Sequence, residues 1–178
     1  MKVVLLSIVL VFAADGSAQD QSSKCADFRE EADTSIDRLD QRFPLNSPEI
    51  RADNAIKALF SACPEYRFDL KYHDALTRAD EQWAKHIFDI ATYYVGTFER
   101  DGTGFKGAES RFRQIIADFP KFSKIDESLY LLGRLYFENG QLKDAKVRLL
   151  DVANNHQTSP FAFESQVLLD RIAYQQKK

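Results

Sequence analysis

Glycine, proline and cysteine are all scarce in this sequence: seven, five and two residues among 178. So few glycines and prolines exclude a collagen-like or low-complexity chain, and 12% aromatic content excludes a disordered one. A basic surplus is missing too. Lys and Arg total 24 against 27 Asp and Glu, a formal charge of −3, whereas a nucleic-acid binder would show a basic face. No nucleophile elbow, Ser/His/Asp clustering, HExxH-like run or placeable acid pair occurs. The reading is therefore a non-enzyme with no cofactor and no metal. What is present is 44% hydrophobic content, ample for the core of one domain.

The apolar run from Val3 to Ala14 follows Lys2 and is interrupted only by Ser7; Asp15 ends it, and Gly16-Ser17-Ala18 supply small residues. That order describes a secretory signal over residues 1–18. The run falls short of the roughly 20 residues that a membrane-spanning helix needs; an uncleaved anchor is the alternative. Cys25 is no lipidation site, because Lys24 precedes it and a gap separates it from the apolar run. The expected location is outside the reducing cytosol, reached by export.

Export makes an even cysteine count an invitation to pair. Phe28, Ala32, Ile36, Leu39 and Phe43 trace one helical face, and Pro44 stops it. A second helix opens with Ser47 as N-cap, Pro48 in the first position and Glu49 facing the dipole, and Ala52, Ile56, Leu59 and Phe60 carry it to Cys63-Pro64. A hairpin folded about Pro44 sets Cys25 opposite Cys63, each nineteen positions away. A bond there would close the hairpin's open end and contribute about 4 kcal/mol in the chain-entropy model; two free cysteines are the other possibility.

Leu76, Ala79, Trp83, Ile87, Ala91, Tyr94 and Phe98 step by three or four without a proline, which predicts one helix from about Tyr72 to Arg100, either continuous or broken near Lys85-His86. A repeat follows. Gly96 aligns with Gly133, thirty-seven positions on, and the register carries Ala108 onto Ala145, Phe112 onto Leu149 and Ile115 onto Val152. The second copy reads as a full helix-turn-helix: Leu129, Leu132, Gly133 and Tyr136, a turn at Asn139-Gly140, then Ala145, Leu149 and Val152. In the first copy Glu99 takes the place of Tyr136, and Asp101-Gly102-Thr103-Gly104 lengthens the turn; it lacks the Lys-Ser/Thr of a phosphate loop and reads as a helix connection. Ala32, Ile36, Leu39 and Phe43-Pro44 form a fainter half-repeat. Phe161, Val167, Leu168 and Ile172 predict a last, capping helix with a polar Gln175-Gln176-Lys177-Lys178 tail.

The L-G-x-x-Y, glycine turn and A-x-x-x-bulky spacing of the second copy resembles the tetratricopeptide repeat. More narrowly, Ala108-x-x-Arg111-Phe112-x-x-Ile115-Ile116-x-Asp118-Phe119-Pro120, followed by Glu127 to Tyr136, resembles the BamD (YfiO) family of outer-membrane assembly lipoproteins. The C-terminal half of the YbgF family is similar as well. The resemblance covers about Ile87 to Ile172. It implies an exported bacterial protein that binds other proteins; the lipoprotein cysteine of BamD is missing, so lipid anchoring is not carried over.

The expected fold is therefore all-α: an N-terminal helical hairpin over residues 19–71, then a tetratricopeptide-like helical-hairpin solenoid over 72–178. The expected function is a non-enzymatic protein-binding scaffold of the cell envelope, in outer-membrane protein assembly, the alternatives being a Tol-Pal or division-associated adaptor and a small helical hydrolase. Its partners would be envelope proteins or peptides, with no nucleic acid and with membrane association only through a partner. Inner-helix positions that are neither core nor turn predict a protein-binding groove of Tyr93, Thr97 and Arg100 in the first copy and Tyr130, Arg134 and Phe137 in the second, an aromatic-plus-Arg surface suited to a peptide. Asp69 with His73, and His86 with Asp89, could share helix faces, but two ligands make no metal site; His156 stands alone.

Overall fold

The computed structural model describes residues 15–39 and 48–177, with side chains from residue 20 onward. The apolar run 3–14, Pro44 and the predicted cap Ser47 lie outside the described residues, whereas Gly16, Ser17 and Ala18 fall inside the first helix. Among the described residues the chain is all-α: α1 (Asp15–Asp37), α2 (Pro48–Ala62), α3 (Leu70–Asp101), α4 (Phe105–Asp118), α5 (Ile125–Glu138), α6 (Leu142–Asn155) and α7 (Phe161–Gln175), with one 3₁₀ turn at Pro64–Phe68. α3 runs without the break considered near Lys85-His86.

Two compact units divide between Ala79 and Asp80, inside α3, eight residues beyond the border expected at 71. The reason is packing. Tyr72, Ala75 and Ala79 of α3 are buried together with Ala32, Ile36 and Leu39 of the α1 segment and Ala52, Ile56 and Leu59 of α2, so the start of α3 belongs to the first core. The sequence-predicted faces of α1 and α2 are the buried ones. Cys25 and Cys63 are joined by a disulfide, their Cα atoms 5.8 Å apart. Pro64 starts the 3₁₀ turn straight after it, and the turn is held by the amides of Tyr66 and Asp69 donating to the carbonyls of Cys63 and Tyr66.

In the second unit α5 packs against α4, α6 and α7. Its core takes Ala84, Ile87, Phe88, Ala91 and Val95 from α3, Ala108, Phe112 and Ile115 from α4, Leu132, Leu135 and Tyr136 from α5, and Leu149 from α6. The thirty-seven-residue register is visible in burial: Ala91, Ser128 and Ser165 are each fully buried at the same place on α3, α5 and α7. Small side chains at that level let the helices approach. Gly133 does the same on α5, where an added Cβ would stand 2.8 Å from Leu149 Cγ. At the end of α5 the amide of Gly140 donates to the Phe137 carbonyl at 3.1 Å and that of Gln141 to the Tyr136 carbonyl at 2.8 Å, with Gly140 at φ 76°. This pair of bonds closes the helix and starts the turn to α6.

Gly96, the partner of Gly133 in the alignment, does not share its role: a Cβ there would meet nothing within 4 Å. In the first copy the close approach is made instead by Gly107 of α4, whose added Cβ would lie 2.7 Å from the Tyr94 ring. A large aromatic on α3 is thus accommodated by a glycine on the facing helix.

Two outcomes follow for stability. Replacing both Cys25 and Cys63 by Ala should cost about 4 kcal/mol if the 38-residue separation acts through chain entropy, read as a lower thermal midpoint that reductant reproduces in the native chain and does not deepen in the variant. Gly133→Ala should destabilise by about 1–3 kcal/mol, because Leu149 must move; Gly96→Ala, in open helix, should stabilise by about 0.5–1 kcal/mol. Denaturant titration of the two alanine variants checks the opposite signs.

Candidate functional site

The predicted groove residues sit on α3 and α5, and most of them are already engaged within the chain. Tyr93 is the exception, 68% exposed, with its neighbour Tyr94 alone against its ring among the described residues. Thr97 Oγ1 donates back to the Tyr94 carbonyl at 2.8 Å and faces the α3–α4 turn, where Gly104 has room for no Cβ beside it. Arg100 is exposed, with Asp101 3.8 Å away. Tyr130 stacks on Phe161, ring centroids 5.1 Å apart. Phe137 packs half-buried against the core. Arg134 donates to Glu99 at 2.5 Å, joining α5 to α3, and lies 3.6 Å from Glu138.

Carrying the register one step further reaches positions that the sequence reading passed over. Val167, Arg171 and Tyr174 of α7 stand where Tyr130, Arg134 and Phe137 stand on α5. Arg171 is exposed and Tyr174 is 64% exposed. The signal was available in the thirty-seven-residue spacing, but Asp170 and Ala173 in place of Gly133 and Tyr136 hide it from a motif search.

Two buried phenols, Tyr72 and Tyr136, are shifted in acidity together with the carboxylates they serve. In the first unit Tyr72 Oη donates to Asp33 Oδ1 at 2.9 Å and Lys71 Nζ donates to the same oxygen at 2.8 Å. In the second, Tyr136 Oη donates to Glu109 Oε1 at 3.0 Å, and Lys106 Nζ to Oε2 at 2.9 Å. Burial pulls both carboxyls upward, but the donors outweigh it and hold each below its ordinary value. Burial raises both phenols, and the carboxylate each one serves raises them further. Perturbed groups of this kind often mark reactive centres. Here each phenol is consumed in fastening one helix to another, α3 to α1 and α5 to α4.

The histidines are occupied elsewhere. His73 Nε2 lies 2.5 Å from the Arg67 carbonyl, and His86 stacks on Trp83; neither ring bonds the aspartate proposed for it, and His73 reaches Asp69 only through its amide, which donates to the Asp69 carbonyl at 3.4 Å. The Asp101 carboxylate fills the glycine turn, accepting the Thr103 amide at 2.9 Å and its hydroxyl at 2.6 Å. An anion would meet that carboxylate rather than free donors. Among the described residues, Cys25, Cys63 and Glu65 bring potential metal ligands within 4.8 Å of one another, but sulfurs joined in a disulfide offer no thiolate.

Because both carboxyls are depressed in the folded chain, their contribution is present above the unfolded carboxylate value of about 4 and is lost as pH falls through the folded one. Thermal midpoints recorded from pH 7 down to pH 3 should therefore decline, and Asp33→Asn and Glu109→Gln should each flatten part of that decline while lowering the plateau. Set against protein-family models, curated proteins and solved structures, the chain finds no match.

Proposed function

We propose that this chain is a non-enzymatic protein-binding scaffold, exported to the bacterial cell envelope. In this reading α3–α4 and α5–α6 are tetratricopeptide-like pairs, α7 is a further inner helix that caps them, and the inner helices together receive a peptide segment of an envelope partner. The BamD-like sequence pattern suggests outer-membrane protein assembly as the setting. The disulfide suits an oxidising compartment.

The observation that carries the reading is the exposed aromatic Tyr93 at the inner-helix register that also holds Tyr130 and Val167. Aromatic and Arg side chains dominate the energetics of peptide capture. Arg134 is already paired on two sides, which leaves Tyr93 and Arg171 as the contact-ready members. This corrects the weight placed on Arg134 by sequence alone: Arg134→Glu would bring a third carboxylate against Glu99 and Glu138 and disturb the fold itself.

The test is a photo-crosslinking amino acid at position 93, followed by affinity measurement on the partner it captures. Tyr93→Ala and Arg171→Glu should each weaken capture by about tenfold with the thermal midpoint unchanged. Capture that persists at full strength in the double variant would remove the inner face as the binding surface.

A further inference from the structure

The α1–α2 hairpin carries charge that finds no partner among the described residues. Asp27, Glu30 and Glu31 lie along one face of α1; Arg38, just past its end, and Arg51, in the first turns of α2, lie at the other extremity of the same face. All five line a single open hollow of about 730 Å³ between the two helices. None of the five has an ion pair or side-chain hydrogen bond among the described residues. Three lysines of this unit are matched, Lys24 with Asp20, Lys57 with Asp53 and Lys71 with Asp33; what sets the five apart is that they line one hollow with opposite signs at its two ends.

The pattern along the face is polar in both senses. Glu31 and Arg38 are two helical turns apart, about 10 Å along the axis, and α2 runs back so that Arg51 comes level with Arg38 rather than with the glutamates. Between the two charged ends the hollow is lined by short side chains, among them Thr34, Ala55 and Ala58, over which another helix can come close. A uniformly acidic or basic partner would satisfy one end and be repelled by the other. A two-fold axis through the level of Thr34 satisfies both, since it lays the acidic end of one hairpin on the basic end of the next, and a two-fold interface uses the same patch twice.

We propose that this face joins two copies of the chain, giving an antiparallel four-helix contact in which Glu30 and Glu31 of each copy meet Arg38 and Arg51 of the other. The proposal is independent of the peptide-binding reading, which concerns the second unit.

Sedimentation equilibrium of the full chain reads it. At low salt, about 0.05 M, the chain should be dimeric, and at about 0.5 M, where the Debye length has shrunk to a few ångströms, the dimer should weaken. Two charge-reversed chains, Arg38→Glu with Arg51→Glu and Glu30→Lys with Glu31→Lys, should each dimerise at least about tenfold more weakly, since like charges then face each other. Mixed one to one, the two should recover a dimer, because each supplies the charge that the other lacks. Thr34→Cys, near the axis, should form a covalent dimer on mild oxidation, and it keeps the test open should a reversed chain fold poorly. A wild-type chain that stays monomeric at about 100 µM in low salt, or a dimer that neither reversal weakens, overturns the proposal. So does an acidic or basic peptide that seats in the hollow while the chain remains a monomer.

Discussion

The closeness of paired helices is the constraint on which the second unit rests. Helices with bulky side chains at every crossing sit 8–10 Å apart, and the separation falls only where one partner gives up its side chain. Gly133 gives way to Leu149, and Gly107 gives way to the Tyr94 ring. Around those contacts the fully buried Phe112, Ile115, Leu132 and Leu149 fill the space, each removing about 2 kcal/mol of apolar surface energy from water. The polar tie from Tyr136 to Glu109 depends on the same spacing, since a phenol reaches a carboxylate on the facing helix only when the two backbones are near.

The first unit reaches a comparable end with less apolar material. Its core leans on alanine at Ala32, Ala52, Ala55, Ala75 and Ala79. Small residues permit close helices but bury little surface each, so a cross-link that limits the unfolded chain has more to contribute here than in the second unit. The Cys25–Cys63 bond sits at the open end of the hairpin, and the Lys71 and Tyr72 bonds to Asp33 fasten the start of α3 against α1.

Periodicity made much of this legible. The buried faces of α1 and α2 and the opposition of Cys25 to Cys63 follow from spacing, because a helix converts sequence interval directly into direction; on α7 spacing picks out Leu168 and Ile172 but passes over Ser165 and Leu169. Side-chain commitments do not follow. Sequence leaves Tyr130 open as a groove aromatic or as a ring packed on a neighbouring helix, and Phe161 stacked on it decides for packing; Arg134 reads as a free cation until Glu99, thirty-five residues earlier, is found beside it. Gly96 and Gly133 are identical letters in matching places, yet one faces open space and the other a leucine. A glycine's role is fixed by the residue across from it, and that residue lies at a distance which a local motif does not span.

The same logic separates α7 from α5. At the three positions where α5 presents Leu129, Gly133 and Tyr136, α7 presents Gln166, Asp170 and Ala173, and Gln166 Nε2 donates to Asp170 Oδ1 at 3.0 Å. A face that satisfies its own polar groups gains little from being covered by another helix, because covering it would strip water from groups that are content in water. Its other side keeps Leu168, Leu169 and Ile172 buried against the unit. α7 therefore buries Ser165 at the thirty-seven-residue register of Ala91 and Ser128, while its Gln166–Asp170 side stays polar. That division of labour leaves Arg171 exposed on the side that the core does not use.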